Sequence, residues 1–359
     1  MTNSMEKLRR SAKALKRAFD TGDGDAISRV TQALGPRDLL VHADALHVIA
    51  RENGFQSWPR LKVALNARVM ERDERQRRLM RALFEGQPWA VRTLLEEDAG
   101  LAQSSFGLAC ALYDVAHVRM LLARDPSLAT REERARRPMM WLAFSKHFQA
   151  EGSEDAMLAV AQALLDAGAD ANDHFLYNDP HFGDAPLSAL YAALGHAGNM
   201  LLAEWLLEKG ANPNDNESLY HATEFGHPRG VALLLRYGAR PEGTNALARA
   251  LDFDNREIVN LLLEAGANPL EPVSGSDEAV SILHHGVMRR ISADTGALLI
   301  ERGADVHALL HGRVPYVLAR SHGLPDLAEV MAQHGGAVDL TPLEAQLVRA
   351  ADGNIREND

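Results

Sequence analysis

The side chains best suited to chemistry crowd into one stretch. Between Asn172 and Leu187 the sequence reads NDHFLYNDPHFGDAPL, which sets His174, Phe175, Tyr177, His181 and Phe182 among Asp173, Asp179 and Asp184. Imidazoles and carboxylates this close can exchange protons, clasp a peptide or small ligand, or hold a divalent ion. The rings are equally suited to anchoring a long loop. A dedicated metal site needs a fixed ligand geometry, and His-x6-His on a loop supplies none, so no metal is expected. His181 and His221 are the best candidates for an imidazole with a tuned proton affinity. Trp141, His147, Tyr177, Tyr191 and Glu224 complete the set that would line a ligand or catalytic pocket. The sequence carries no G-x-S-x-G elbow, P-loop, G-x-G-x-x-G at a strand–helix junction or H-E-x-x-H. Cys110 stands alone in the apolar run LACALYDVA, which rules out an intrachain disulfide and reads as a small core residue. An enzyme or small-molecule binder is therefore the second reading, and no cofactor is expected.

What must position these residues is a phrase that repeats. Two leucines, two polar residues, a glycine and an alanine recur as LLDAGADAN (Leu164–Asn172), LLEKGANPN (Leu206–Asn214), LLRYGARPE (Leu234–Glu242) and LLEAGANPL (Leu262–Leu270). Looser copies are LIERGADVH (Leu299–His307) and MAQHGGAVD (Met331–Asp339), so successive starts lie 28 to 42 residues apart. The leucines close an amphipathic helix on a core, and the glycine ends it in the left-handed conformation. The Asn, Asp and Pro residues that follow favour a tight turn. Leu94–Leu95 and Leu121–Leu122 mark earlier units without the glycine. Such a period is the mark of a solenoid, in which each unit buries its apolar face only against its neighbours.

A second helical signal precedes several copies: ESLYHATEFGH (Glu217–His227), SILHHGVMRR (Ser281–Arg290) and VPYVLARSHG (Val314–Gly323). These resemble the Thr-Pro-Leu-His…Gly-His first helix of the ankyrin repeat, and the Gly-Ala-Asp/Asn ending resembles that family's second helix and finger turn. The resemblance spans roughly residues 70–351. It implies an all-α ankyrin-repeat solenoid of about eight helix-turn-helix units. It also implies structural, hydrogen-bonding roles for His284 and His227, while His285 reads as a residue of an apolar helix.

Ahead of the array, residues 4–20, the stretch after Asp25, and His42–Phe55 read as three helices. Ser57 and Pro59 open a fourth. The segment DALHVIARENGFQSWPRLK resembles the leader found before ankyrin arrays in a set of bacterial proteins, with Phe55, Trp58 and Leu61 covering the first repeat. The expected organisation is a helical cap at 1–67, an array at 68–351 with an expanded finger at 172–187, and a polar tail at 352–359.

Charge divides unevenly along this plan. Residues 1–81 carry 17 Lys/Arg against 10 Asp/Glu, and the remainder 21 against 39. With no nucleic-acid motif and an acidic total of −11, no nucleic-acid partner is expected. Apolar residues make up 46% of the chain, yet no stretch approaches the roughly 20 needed to span a bilayer, and the amino terminus lacks an apolar signal core. A cytoplasmic protein without membrane contact is expected.

In the family resembled, inner helices line a concave groove. The residues before each inter-helix turn are thus candidates to contact a protein or peptide: Glu224 and Phe225, Asp252 and Phe253, Met288 and Arg289, Ser321 and His322. Phe225 and Phe253 would form an aromatic stripe, or else pack between repeats. Glu224 and Asp252 would give the groove acidic character, suiting a basic and apolar partner. The alternative occupant is a small molecule where the expanded finger meets the groove.

Overall fold

Apolar residues spaced at three and four positions and punctuated by glycine give helix after helix. The computed structural model describes residues 2–149, 153–179, 183–274 and 279–353. By its internal contacts the chain forms two units: residues 1–133 with 144–168, and residues 134–143 with 169–359.

In the first unit, helices Thr2–Asp20, Gly24–Leu34 and His42–Glu52 pack together around Ala12, Leu15, Val30, Leu40, Val48 and Ile49. Asp23 starts the second helix by accepting a hydrogen bond from the Ala26 amide at 2.9 Å. Ser57 does occupy the N-cap of Trp58–Ala67, but its hydroxyl makes no capping bond. That helix packs against Pro88–Glu97, and Trp58 rests on the three-helix core, so the leading module continues into the repeats. The helices Pro88–Glu97 and Val115–Arg124 end without glycine. Asp98 and Asp125, both extended, turn the chain into short 3₁₀ segments instead. Cys110 is fully buried, and burial pushes its thiol pKa well up, as suits an inert core residue.

In the second unit, inner helices Ser218–Ala222, Ala246–Leu251, Ile282–Arg289 and Pro315–Ser321 pack in series. Outer helices Arg229–Arg236, Arg256–Glu264, Ala293–Glu301 and Pro325–Gln333 form a parallel series. The leading apolar residue of the phrase is fully buried in every copy: Leu206, Leu234, Leu262, Leu299 and Met331 here, and Leu164 in the first unit. Gly238 sits at φ +89°, where a side chain is strained.

The asparagines of the phrase do more than form turns. Asn172 Oδ1 accepts from the Asn212 amide at 2.7 Å while its Nδ2 donates to the Gly210 carbonyl at 3.1 Å. Asn214 repeats this one unit on, with the Arg240 amide at 2.8 Å and the Gly238 carbonyl at 3.2 Å. Each side chain clips its own turn to the main chain of the next.

The expanded finger is not an irregular loop. His174–Asp179 and Gly183–Ser188 pair antiparallel, with Tyr177 opposite Ala185 and Leu176 opposite Pro186. Phe175, Leu176 and Tyr177 favour strand, and a two-stranded ribbon has only edge strands, where a proline such as Pro186 is tolerated.

Replacing Asn214 by Ala removes both bonds of its clip and should cost about 1–2 kcal/mol in chemical denaturation, the groups being exposed to water. Gly238→Val should cost roughly 1 kcal/mol or more. The same change at Gly24, which has open space around it and no left-handed backbone, should cost less.

Candidate interaction groove

Arg249, on the inner helix Ala246–Leu251, organises the polar side of the second unit. Its Nε and Nη2 donate to Glu224 Oε1 at 3.0 and 2.9 Å, and its Nη1 to Asp252 Oδ2 at 2.7 Å. The guanidinium also lies over the rings of Tyr220 (5.3 Å) and Phe253 (5.1 Å). Asp252 is further approached by Arg289 Nε at 2.7 Å and His285 Nε2 at 3.0 Å. Burial lowers the His285 pKa against the opposing pull of Asp252, which keeps that imidazole neutral near pH 7.

This network corrects the expected electrostatics. Asp252 is engaged on both oxygens by Arg249, His285 and Arg289, and Glu224 on Oε1 by Arg249 and His221, so much of their charge is met from within. The signal was available in the sequence as Arg249 one turn before Asp252, a spacing that brings side chains together on a helix.

The phenylalanines part company. Phe225 is half-buried, stacked on His227 with ring centroids 6.0 Å apart and leaning toward Gly198 of the preceding repeat. Phe253 is 48% exposed, and Met288 46%. A stripe of two facing rings is therefore not what the backbone builds. Ser321 turns its hydroxyl back onto the Leu318 carbonyl at 2.9 Å, and His322 likewise directs Nδ1 at that carbonyl. An open groove of about 490 Å³ runs beside Arg249, Asp252, Met288 and Arg289, walled on the finger side by Val273 and Leu310.

The residues expected to form a pocket are partly gathered. His221 holds Nδ1 3.0 Å from Glu224 and Nε2 3.4 Å from Glu217, with its ring 5.1 Å from that of Tyr191. Tyr191 ends the α-helical turn Ala189–Tyr191 just before the π-helical turn Ala192–His196, and its ring lies so close over Gly195 that a Cβ there would come within 2.7 Å. Tyr177 on the hairpin is near enough to act on the ionisation of Tyr191, whose pKa is raised mainly by burial and then by Glu217 and Glu224. Both imidazole nitrogens of His221 thus face carboxylates. Trp141 is buried: it and Phe175 each stack on Arg136, at 5.4 and 4.9 Å, which ties the base of the finger to helix Pro138–Ala143. His147 lies in the first unit against Tyr113, 5.4 Å between rings, and burial lowers its pKa. His181 lies outside the described residues. Among the described residues no cluster of three or more His, Cys, Asp or Glu side chains could hold a metal.

The base of the hairpin contains one feature the sequence did not reveal. Asp173 is only 2% exposed; Arg137 Nη1 reaches its Oδ1 at 2.9 Å, and its Oδ2 has no hydrogen-bond partner among the described residues. Burial raises its pKa more than Arg137 lowers it. His284 is structural, as the resemblance implied, bridging Ser281 Oγ (2.8 Å) and the Arg313 carbonyl (3.0 Å), whereas the buried Nδ1 of His227 has no hydrogen-bond partner among the described residues.

Residues 189–272 match the family model for ankyrin repeats in three copies, the segment that supplies Tyr191, His221, Arg249 and Asp252. This segment of the chain is built of ankyrin repeats. The human ASB11 ankyrin repeat domain superposes with a TM-score of 0.46 at 19% identity, over 66% of this chain and 100% of that one. The ankyrin repeat domain of Bcl-3, described as a unique member of the IkappaB protein family, gives 0.46 at 22% identity over 63% and 97%. No curated protein sequence matches the chain. Among the described residues no helix is long and apolar enough to cross a membrane.

Phe225→Ala should destabilise by about 1–3 kcal/mol as a half-buried ring is lost between repeats, and Phe253→Ala by less than about 1 kcal/mol; paired denaturation curves will show the difference. Because the folded pKa of Asp173 is raised, its contribution is most favourable below the unfolded pKa and is lost as pH rises through the folded value. Asp173→Asn should therefore flatten that part of the stability–pH curve, whereas Arg137→Ala should cost roughly 1–3 kcal/mol near pH 7.

Proposed function

We propose that this protein is an interaction scaffold whose second unit holds an extended segment of a protein partner between its inner-helix ends and its finger turns. The observation that carries this reading is the pair Phe253 and Met288. Both are large, apolar and about half exposed; Met288 lines a groove of about 490 Å³, and Phe253, in the turn after helix Ala246–Leu251, lies against Arg249, which lines the same groove. Exposed apolar side chains rimmed by charged groups suit protein contact. The internal pairing of Glu224, Arg249 and Asp252 holds the rim in place before a partner arrives, which lowers the ordering cost of association. We place the protein in the cytoplasm, in keeping with its single buried cysteine.

A Phe253→Ala/Met288→Ala double variant tests the proposal. Proteins retained on the immobilised full-length chain should be lost from the double variant while its melting temperature stays within a few degrees of the parent. Retention of the same proteins in the same amounts would remove the groove from consideration.

A further inference from the structure

The charge left over in the groove identifies the kind of segment it accepts. Asp252 draws on Arg249, His285 and Arg289 through both oxygens, and Glu224 takes two donors from Arg249 and faces His221 Nδ1 through Oε1. Arg249 has no spare arm, since its Nε, Nη1 and Nη2 are all engaged. Arg289 differs. Its nearest approach to Asp252 is through Nε, its side chain is 52% exposed, and its two Nη groups make no hydrogen bond among the described residues. A guanidinium presents five N–H donors in a fixed fork that matches a carboxylate with two parallel bonds. Within the groove lining, two guanidiniums face one carboxylate, and the imidazole of His285 is neutral. Beside this unused fork lie Met288 and Leu310.

We propose that Arg289 is the docking point for an acidic side chain, Asp or Glu, in a partner segment that lays an adjacent apolar residue over Met288. This rests on the groove-binding reading above and reverses the basic partner that the acidic residues alone would suggest. The apolar residue supplies contact area, and the carboxylate sets register along the groove, since it pairs well only opposite Arg289.

A random peptide library selected on the full-length protein, followed by binding measurements on individual peptides, tests both levels. Selected peptides should share an Asp or Glu next to an apolar residue. Changing that acid to Asn or Gln should weaken binding about tenfold. Arg289→Glu should weaken the parent peptide by at least as much and should be rescued by Lys in place of the acid, which a merely structural role for Arg289 would not produce. Arg289→Gln serves as a second variant should the charge reversal disturb folding, because Asp252 keeps Arg249 and His285. Phosphoserine at the acidic position binding where Asp and Glu do not would overturn the proposal in favour of a phosphorylated partner. Peptides sensitive to Phe253→Ala/Met288→Ala but indifferent to Arg289→Glu and Arg289→Gln would overturn it while leaving the groove reading intact. Selection of basic peptides would do the same. A library yielding no peptide sensitive to Phe253→Ala/Met288→Ala would overturn both.

Discussion

Repeat stacking depends on a constraint that leucine burial alone does not impose: each turn must meet the next in register. Apolar faces tolerate sliding, because dispersion and the hydrophobic effect have little directionality. The asparagine clip supplies the missing direction. Asn172 and Asn214 each offer an acceptor and a donor from one planar amide to one N–H and one C=O of the following turn. That requires the next glycine to leave its helix at the right angle, as Gly238 does at φ +89°. The second clip fixes the turn at Gly238–Arg240, which leads into the repeat that carries Arg249.

Much of this architecture was legible because it is periodic. The fully buried Leu206, Leu234, Leu262 and Leu299 were identifiable from spacing, as was the helix stop after each. The hairpin at His174–Asp179 and Gly183–Ser188 was not, because its Asp, Asn, Pro and Gly residues read as loop formers. In so short a ribbon, the pairing of two strands outweighs those local preferences. The groove was harder still. Its candidates were found by position in the repeat, but their chemistry depends on who pairs with whom between repeats, separated by 25 residues for Glu224 and Arg249. A linear count of carboxylates registers Glu224 and Asp252 as negative surface; only the fold shows Arg249 between them.

The exposed and the committed residues have complementary roles. Arg249, braced by two carboxylates and two rings, is held in one geometry before binding, so ordering it costs a partner little. Phe253 and Met288 offer surface without being needed for the core. Such separation lets side chains that determine recognition change without loss of the fold, whereas Phe225, leaning on the previous repeat, cannot change so freely.

The clip also bears on how such a chain lengthens. Its receiving side is main chain, the N–H and C=O of the adjoining turn, and main chain is the same whatever side chains that turn carries. A duplicated unit that carries the asparagine therefore arrives with its own amide and finds a ready donor and acceptor on the turn that follows it, with no compensating substitution required. Growth by tandem copying then preserves the joint, while the groove residues of the new copy are free to diverge toward a different ligand.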